Sequence, residues 1–229
     1  MLHSLILIGS YLFGAIPFGF LLVKKITGID IRTIGSGNVG STNVSRAAGP
    51  ILGRFVFCLD VLKGLLPPVI AQLLKLDSVW VVLAGMASII GHIYSIFLGF
   101  KGGKGIATSA GVLIGISPVV FCLEIVIFIG GYLGSSIISV GSVLAALALP
   151  FAMLLVYHND KPRIAFAIVA GGLAIYRHRE NLQRLRNGTE PKADLFGLHK
   201  IKLASTPLNS NEAPRDGEVK KDSIPDAPK

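Results

Sequence analysis

Long apolar runs dominate the first three quarters of the chain. Three of them, at residues 5–23, 79–100 and 135–157, contain no charged residue. Each is close to the ~20 residues that a helix needs to span the ~30 Å of hydrocarbon in a bilayer. One such run is compatible with a buried helix of a soluble protein, whereas three in 229 residues indicate a protein that crosses a membrane several times.

The pattern of apolar runs and breaks predicts an all-α fold of short helices. The predicted helices are apolar and separated by polar loops, and cover residues 2–23, 51–74, 79–98, 135–157 and 163–176. We expect the second of them to be interrupted at Pro67 and Pro68. Residues 106–133 are also mostly apolar, but Pro118 disfavours one continuous helix, so two short helices are expected there.

Positive charge is concentrated in three segments outside the apolar runs. The first segment contains Lys24, Lys25, Arg32 and Arg46, the second contains Lys101 and Lys104, and the third contains Arg177, Arg179, Arg184 and Arg186. By the positive-inside rule these segments share the cytoplasmic side. We therefore expect a bundle of about seven short transmembrane helices, or alternatively five, with the N-terminus outside and the C-terminus cytoplasmic. The same charges could also serve only as topology signals or as anchors for anionic lipid.

Composition divides the chain into two regions. We expect a membrane domain at residues 1–202 and a polar, disordered cytoplasmic tail at residues 203–229. The net charge of +9 comes without any nucleic-acid-binding motif, so no nucleic-acid partner is expected. Cys58 and Cys122 lie in apolar segments and have no metal-ligand spacing, so we expect them to be packing residues.

The first candidate for chemistry is the segment 35–46, with the sequence GSGNVGSTNVSR. Its glycines allow the backbone to approach a ligand closely. Arg46 adds a planar fork of donors that suits phosphate. The neutral hydrogen-bonding side chains are Ser36, Asn38, Ser41, Thr42 and Asn43. A flexible loop between two spans would have a similar composition.

The second candidate is the segment 99–105, with the sequence GFKGGKG. Its small residues and two lysines make a cradle for an anion, particularly if a helix begins at Ile106. It is not a nucleotide-binding P-loop, because Gly105 stands where that motif needs Ser or Thr. His92 precedes it on an apolar helix, where a histidine is more often a packed residue than a catalyst.

Charged residues also occur within the apolar segments. Asp60 and Lys63 are three residues apart on one helix face, and charge inside a bilayer is costly unless it is paired or faces a polar cavity. A structural ion pair and a role in orienting the site both remain open. We assign no role to Glu124, and the segment 177–190 is compatible with a topology signal alone.

Taken together, four motifs in fixed order resemble one family. They read Ser36-Gly37-Asn38-x-Gly40-x-Thr42-Asn43-x-x-Arg46, Asp60-x-x-Lys63-Gly64, Gly91-His92-x4-Phe97-x2-Phe100-Lys101-Gly102-Gly103-Lys104-Gly105-x-Ala107-Thr108, and His178-x2-Asn181-x2-Arg184-Leu185-x2-Gly188-x-Glu190. Over residues 2–190 the chain resembles the bacterial glycerol-3-phosphate acyltransferase family that uses acyl phosphate as donor, known as PlsY.

The resemblance implies a reaction and a location. The fatty acyl group of acyl phosphate is transferred to sn-glycerol 3-phosphate, which gives 1-acyl-glycerol 3-phosphate (lysophosphatidate) and phosphate. This is the first acylation of bacterial phospholipid synthesis, carried out at the cytoplasmic (inner) membrane without cofactor or metal. The implied partners are membrane lipid and a soluble enzyme that produces the acyl phosphate.

Matching positions imply roles for individual residues. Lys104, His178, Asn181 and Ser36 would serve the reacting groups. Substrate and phosphate binding would involve Ser36, Gly37, Asn38, Gly40, Thr42, Asn43, Arg46, Lys101, Gly102, Gly103, Lys104, Gly105 and Thr108. Asp60, Lys63, His92 and Glu190 would support the site.

The proton acceptor is not evident from the motifs. No G-x-S-x-G element and no H-x4-D acyltransferase signature is present, since His92 is followed by Phe97 at that spacing. Our hypothesis is that the phosphate of the donor takes the hydroxyl proton, and His178 is the rival base. Two other classes of protein, an anion transporter and a membrane scaffold, remain alternatives, although no internal repeat favours a transporter.

Overall fold

The computed structural model describes residues 1–193, so the predicted boundary at 202 and the predicted tail at 203–229 lie outside the described residues. Over residues 1–193 all regular structure is helical, which confirms the all-α prediction. The α-helices are α1 Leu2–Ala15, α2 Phe18–Thr27, α3 Ser41–Ala48, α4 Pro50–Leu73, α5 Ser78–Ile93, α6 Ile106–Ile116, α7 Pro118–Ser135, α8 Ile138–Val156, α9 Lys161–Arg177 and α10 Arg179–Arg186. Short 3-10 turns occupy Ile31–Thr33 and Ile96–Leu98.

Five segments of the described chain are long and apolar enough to cross a membrane. They are Leu2–Thr27, Pro50–Leu73, Ser78–Leu98, Pro118–Ser135 and Ile138–Val156. Large apolar side chains on them are exposed, as in Phe151 and Leu155 at 75% and 77%, which is the expected surface of helices that face lipid. α6 and α9 are shorter, with 11 and 17 residues.

The first span is broken, although we expected one continuous helix at residues 2–23. α1 ends at Ala15 and α2 begins at Phe18. Pro17 lacks an N–H and disfavours helical geometry at Ile16, so the ladder of hydrogen bonds stops there. The carbonyl of Ile16 accepts a hydrogen bond from Lys63 Nζ at 2.9 Å, in addition to one from the Phe18 N–H at 3.1 Å.

The predicted interruption of the second span at Pro67 and Pro68 is wrong, because α4 runs unbroken through both prolines. Neighbouring helices and local adjustment let membrane helices retain prolines in their interior. Here α4 packs closely along α6: a Cβ on Gly111 would overlap the Val61 carbonyl, and one on Gly115 would lie 3.0 Å from Pro68 Cγ. The G-x-x-x-G pair of α6 is thus a packing surface against α4.

The predicted split within residues 106–133 is confirmed. α6 ends at Ile116, and Ser117 caps α7 by accepting a hydrogen bond from the Val120 N–H at 3.2 Å. Pro118 occupies the first turn of α7, where its missing N–H costs nothing.

Packing gathers the candidate segments at one end of the bundle. α1 lies along α5, α7 along α8, and α8 along α9. A small separate core beneath the segment 35–46 consists of Val23, Ile31, Val39, Val44, Val56 and Leu98. Because Val39 belongs to the first candidate segment and Leu98 directly precedes the second, this core places the two segments side by side.

Candidate active site

Asn43 organises the first segment. It is buried, and its Nδ2 donates to the carbonyls of Ile34 and Asn38, each at 2.9 Å, while its Oδ1 accepts from the Ser36 N–H at 3.1 Å. These bonds hold residues 34–43 in a compact turn that leads into α3, so the segment is not an unstructured linker. The side chain of Asn43 is occupied in shaping this turn.

The remaining polar residues of this segment differ in exposure. Ser36 and Arg46 are exposed, and Thr42 is half-buried. Asn38 Oδ1 accepts from the Gly40 N–H at 2.8 Å, which tightens the turn. Ser36 and Arg46 are therefore the members of the segment best placed to reach a substrate from water.

The second segment is held against the end of α5. The N–H of Gly102 donates to the Ile93 carbonyl at 3.0 Å, and the N–H of Gly103 donates to the His92 carbonyl at 3.1 Å. A Cβ on Gly102 would overlap that His92 carbonyl, and a Cβ on Gly103 would overlap the His92 ring. The two glycines are required by close packing, and their N–H groups are engaged by main-chain carbonyls of α5, so their contact with substrate stays a prediction.

A helix does begin at Ile106, as the anion cradle requires. Gly105 precedes α6 with φ +86°, a conformation that favours glycine. The N–H groups in the first turn of any helix lack partners within the helix and attract anions. Thr108, in this turn, is fully buried, and its Oγ1 has no hydrogen-bond partner among the described residues.

The third segment meets the second through Lys104. Lys104 Nζ donates to Asn181 Oδ1 of α10. Asn181 Nδ2 in turn donates to Glu190 Oε1, and Arg184 Nε donates to Glu190 Oε2 at 2.7 Å. Residues 177–190 are therefore more than a topology signal, because they form one hydrogen-bonded network with the glycine loop.

Two members of this network were not identified from sequence. Ser139 Oγ, at the start of α8, donates to Glu190 Oε1 at 2.8 Å. Arg177 Nη2 donates to the carbonyls of Gly102 and Gly103 at 3.3 and 3.2 Å. Ser139 lies in an apolar run, and Arg177 resembles an ordinary membrane-flanking charge, so only the tertiary contacts identify them.

Burial and neighbouring groups shift the pKa values of two residues in the network, Lys104 and Glu190. Burial is the main cause that lowers the pKa of Lys104 to about 8, with help from Arg184 and opposition from Glu190. Burial acts to raise the pKa of Glu190, but hydrogen bonds from Asn181, Ser139 and Arg184 outweigh it and lower that pKa. Glu190 is thus an anion held among donors, and Lys104 is a cation that loses its proton easily.

His178 is a neutral hydrogen-bond acceptor. Its Nδ1 lies 2.8 Å from the Ala174 carbonyl, which can only accept, so Nδ1 carries the proton and Nε2 keeps a free lone pair. Burial, together with the charge of Lys104, lowers the pKa of His178 to about 4 despite the hydrogen bond to Ala174. The ring is uncharged at neutral pH.

A buried polar cluster lies behind the loop. Asp60 Oδ1 is 2.8 Å from Lys63 Nζ and 3.6 Å from His92 Nδ1. All three side chains are buried, and His92 also packs against Gly103. A structural ion pair and a role in orienting the site are compatible here. Lys63 donates to the carbonyl of Ile16, where the first span breaks, and Asp60 lies beside His92 under the loop.

The fold and the site define a class: a multi-pass helical membrane protein with a cationic, hydrogen-bonded site at one end. The sequence profile described as Glycerol-3-phosphate acyltransferase matches residues 4–188. The chain belongs to this family, and the resemblance found in its motifs is confirmed.

Relatives with the name glycerol-3-phosphate acyltransferase match most of the chain. That of Geotalea daltonii is 45% identical over 185 residues, covering 81% of this chain and 94% of the relative. That of Aquifex aeolicus is 44% identical over 186 residues, covering 81% of this chain and 96% of the relative.

Two crystal structures of PlsY (YgiH), an integral membrane glycerol 3-phosphate acyltransferase, share the fold. The glycerol 3-phosphate form has a TM-score of 0.81 at 40% identity and covers 88% of this chain and 99% of that one. The lysophosphatidic acid form has a TM-score of 0.77 at 40% identity and covers 85% of this chain and 96% of that one.

Proposed function

We propose that this protein transfers a fatty acyl group from acyl phosphate to the 1-hydroxyl of sn-glycerol 3-phosphate. The products are 1-acyl-glycerol 3-phosphate and inorganic phosphate, in the first acylation of bacterial phospholipid synthesis. The observation that carries the proposal is the contact of Lys104 with Asn181, which joins the basic glycine loop to the segment that carries His178. The glycerol 3-phosphate and lysophosphatidic acid forms of the structural relatives support the same acceptor and product.

Charge favours acyl phosphate over a thioester as the donor. A phosphate monoester carries on the order of −1.5 to −2 charge near neutral pH, so two phosphorylated substrates need several cations. Arg46, Lys101 and Lys104 supply positive charge in the two glycine-rich segments. A thioester places no phosphate beside the reacting carbonyl and would leave part of this charge uncompensated.

The reaction itself requires positioning and charge stabilisation. The hydroxyl oxygen attacks the acyl carbonyl carbon, the bond from that carbon to the phosphate oxygen breaks, and phosphate leaves. Holding the two substrates side by side provides much of the rate gain, and Lys104 stabilises the developing negative charge. Because phosphate is a good leaving group, the proposed reaction requires no metal, cofactor or covalent intermediate.

The donor phosphate is the proposed proton acceptor. A phosphate monoester has a second pKa near 6, and the acyl group of the donor lowers this value because it withdraws electrons. Burial lowers the pKa of His178 further, to about 4, and the donor phosphate gains basicity as its bond to the acyl carbon breaks. The phosphate is therefore the stronger base. His178 Nε2 instead accepts a hydrogen bond from the substrate hydroxyl and orients it.

The other residues take supporting roles in the proposal. Ser36, Asn38 and Arg46 bind substrate phosphate. The N–H groups at the start of α6 and Thr108 Oγ1 add donors for the same purpose. Glu190 acts through Asn181, which it holds in place for Lys104.

Seven crossings are the proposed topology, with the N-terminus outside and the C-terminus cytoplasmic. Ser139 at the start of α8 contacts Glu190, which Asn181 links to Lys104. The turn between α7 and α8 thus lies at the same end as the 99–105 loop. Two loops on the same side of a membrane are separated by an even number of crossings, so in the proposed topology α6 and α7 both cross. Residues 179–190 lie at this end too, so α8 and α9 also both cross.

Contacts at the opposite end of the helix bundle also support seven crossings. Gln72 Nε2, near the end of α4, donates to the Gly115 carbonyl near the end of α6 at 2.8 Å. Ser78 Oγ, at the start of α5, donates to the carboxylate of Asp160, which caps α9, at 3.1 Å. α6 therefore extends from the loop to the far end of α4 despite its 11 residues.

The proposal also has consequences for location and partners. By the positive-inside rule, the positively charged segments support a site on the cytoplasmic face of a bacterial inner membrane. There the bilayer supplies the acyl chain and receives the product, and water supplies glycerol 3-phosphate. A soluble enzyme that produces acyl phosphate is the functional partner, and no nucleic acid is involved.

A donor comparison tests the proposed function. The purified full chain in detergent is incubated with glycerol 3-phosphate and either palmitoyl phosphate, palmitoyl-CoA or palmitoyl-acyl carrier protein. We expect lysophosphatidate and phosphate in equal amounts with palmitoyl phosphate alone, and almost no product from a Lys104→Met variant. Turnover with a thioester but not with palmitoyl phosphate would exclude the proposed donor.

A His178→Ala variant tests the proton acceptor. Single-turnover rates with palmitoyl phosphate should fall by about 10- to 100-fold, because a positioning hydrogen bond is lost, while the shape of the pH profile is retained. A loss of a thousandfold or more, with the pH limb of the base abolished, would identify His178 as the base instead.

A further inference from the structure

We infer that Arg177 is a positioning residue of the active site, which clamps the Gly102–Gly103 main chain to the last membrane helix and thereby aims Lys104. The starting observation is that a single guanidinium nitrogen, Nη2, donates to the carbonyls of both glycines, at 3.3 and 3.2 Å. Arg177 is the last residue of α9, directly before His178.

The peptide group between Gly102 and Gly103 is held at both ends. Its N–H, that of Gly103, donates to the His92 carbonyl at 3.1 Å, and its carbonyl accepts from Arg177. The loop is thus fastened to α5 on one side and to α9 on the other. Together the two contacts prevent this peptide group from rotating.

The next helix holds the side chain of Lys104. Asn181 lies four residues after Arg177, in the first turn of α10, and accepts from Lys104 Nζ. Arg177 therefore fixes the main chain of residues 102 and 103, and Asn181 fixes the ammonium of residue 104. Both are needed to define where the charge of Lys104 lies.

The two carbonyls also explain why the residue is an arginine. Carbonyl oxygens carry partial negative charge and would repel a phosphate bound near Lys104 and Arg46. The two hydrogens of Nη2 are fixed in the guanidinium plane and one is available for each oxygen, whereas the hydrogens of an ammonium rotate freely at the end of a flexible stem. The ring of Tyr94, 5.9 Å from the Arg177 guanidinium carbon, flanks it.

The test combines hydrogen exchange with steady-state kinetics on the full chain in detergent, for Arg177→Gln, Arg177→Lys and the control Arg179→Gln. Arg179 is exposed, and its hydrogen bond is to the Tyr176 carbonyl, outside the loop. We expect both Arg177 variants to accelerate exchange in residues 99–105, with kcat reduced about 10- to 100-fold in Arg177→Gln and less in Arg177→Lys. Arg179→Gln should leave both measurements unchanged.

A pH profile adds a readout that general loosening of the structure would not reproduce. The charge of Arg177 contributes to lowering the pKa of Lys104. Arg177→Gln should therefore move the alkaline limb of kcat/KM to higher pH, and Arg177→Lys should not. Should Arg177→Gln fail to fold, the exchange and kcat of Arg177→Lys decide the question.

Two results would overturn the inference. One is unchanged exchange in residues 99–105 with unchanged kcat in Arg177→Lys. The other is a raised KM for glycerol 3-phosphate with unchanged exchange, which would make Arg177 a direct phosphate ligand. The kinetics rest on the proposed function, but the exchange measurement does not, so inactivity of the wild-type protein would count against the function and not against the clamp.

Discussion

At the scale of single residues, Lys104 shows how burial and neighbours adjust one charge. It lies among cations that make its proton easier to lose and near Glu190, which opposes them. A lysine with a pKa of about 8 is still mostly charged at neutral pH but titrates within the range where enzymes are assayed. Its protonation should therefore be visible in the kinetics.

We predict an alkaline limb near pH 8 in kcat/KM for glycerol 3-phosphate, since this parameter reports groups of the free enzyme. The value of kcat/KM should fall as the pH rises through this range. Lys104 is charged below about pH 8 and neutral above it, and only the cation attracts phosphate. Glu190→Gln removes the charge that supports the ammonium, so the limb should move to lower pH. A limb that stays in place in a folded Glu190→Gln protein would contradict this electrostatic account.

Asn43 offers a second residue-scale prediction, on stability. Asn43→Ala removes the side-chain partner of the Ser36 N–H and the Asn38 carbonyl, and one of the two donors to the Ile34 carbonyl. A buried group left unsatisfied costs about 1–3 kcal/mol. These groups are partly buried, so we expect a cost near the lower end of that range and thermal unfolding in detergent at a lower temperature. Asn38→Ala, which removes a single bond from the Gly40 N–H, is the matched control and should have a smaller effect.

At the scale of elements, the contact of α4 with α6 shows why small residues occupy a helix interface. Without a hydrophobic driving force between helices in lipid, association depends on close packing. Gly64 and Gly111 allow this approach, since a Cβ on Gly64 would overlap the Thr108 carbonyl and one on Gly111 the Val61 carbonyl. Because α6 begins at the loop and carries Thr108, this packing also sets the position of the site.

We predict that Gly111→Ala destabilises the protein by about 1–3 kcal/mol, the usual cost of inserting a methyl group into a packed interior. Gly130→Ala on α7 is the control, because no atom lies within 4 Å of the added Cβ. That change should be neutral or stabilising by about 0.5–1 kcal/mol, as alanine favours helix more than glycine does. Equal thermal unfolding of the two variants would show that the α4–α6 contact does not limit stability.

At the scale of the whole molecule, the path of the chain determines whether the three segments can meet. In seven crossings the α7–α8 turn returns to the face that holds the 99–105 loop. In five, with α6 and α9 not crossing, the turn would lie on the opposite face. The bond from Ser139 to Glu190 favours seven crossings with a site on one side of the membrane, and this count stays a prediction.

Cysteine labelling distinguishes these topologies. On a background of Cys58→Ala and Cys122→Ala, a membrane-impermeant maleimide should label Lys101→Cys and Gly134→Cys from the same, cytoplasmic side. His158→Cys should react from the other side, together with Lys75→Cys as reference. Labelling of Gly134→Cys from the side of Lys75→Cys would support five crossings.

Much of the site could be predicted because its residues form local motifs. Lys104, His178, Asn181 and Glu190 were identified together, and the structure joins Lys104, Asn181 and Glu190 by hydrogen bonds. Ser139 and Arg177 were not, since neither is a member of the four motifs and only the folded chain brings them to Glu190 and to the glycine loop. Asn43 was predicted as a substrate ligand, while its side chain is engaged in the turn around it; its contact with substrate stays a prediction.

The sequence by itself determined the membrane class, the helix break at Ser117 and Pro118, and the start of α6 at Ile106. These depend on hydropathy and on backbone restrictions of proline and glycine, which act over a few residues. Tertiary structure alone decided that α4 continues through Pro67 and Pro68 and that Arg177 holds the glycine loop. Those outcomes depend on which distant groups lie close enough to satisfy a hydrogen bond or fill a gap, and only the packed chain specifies that.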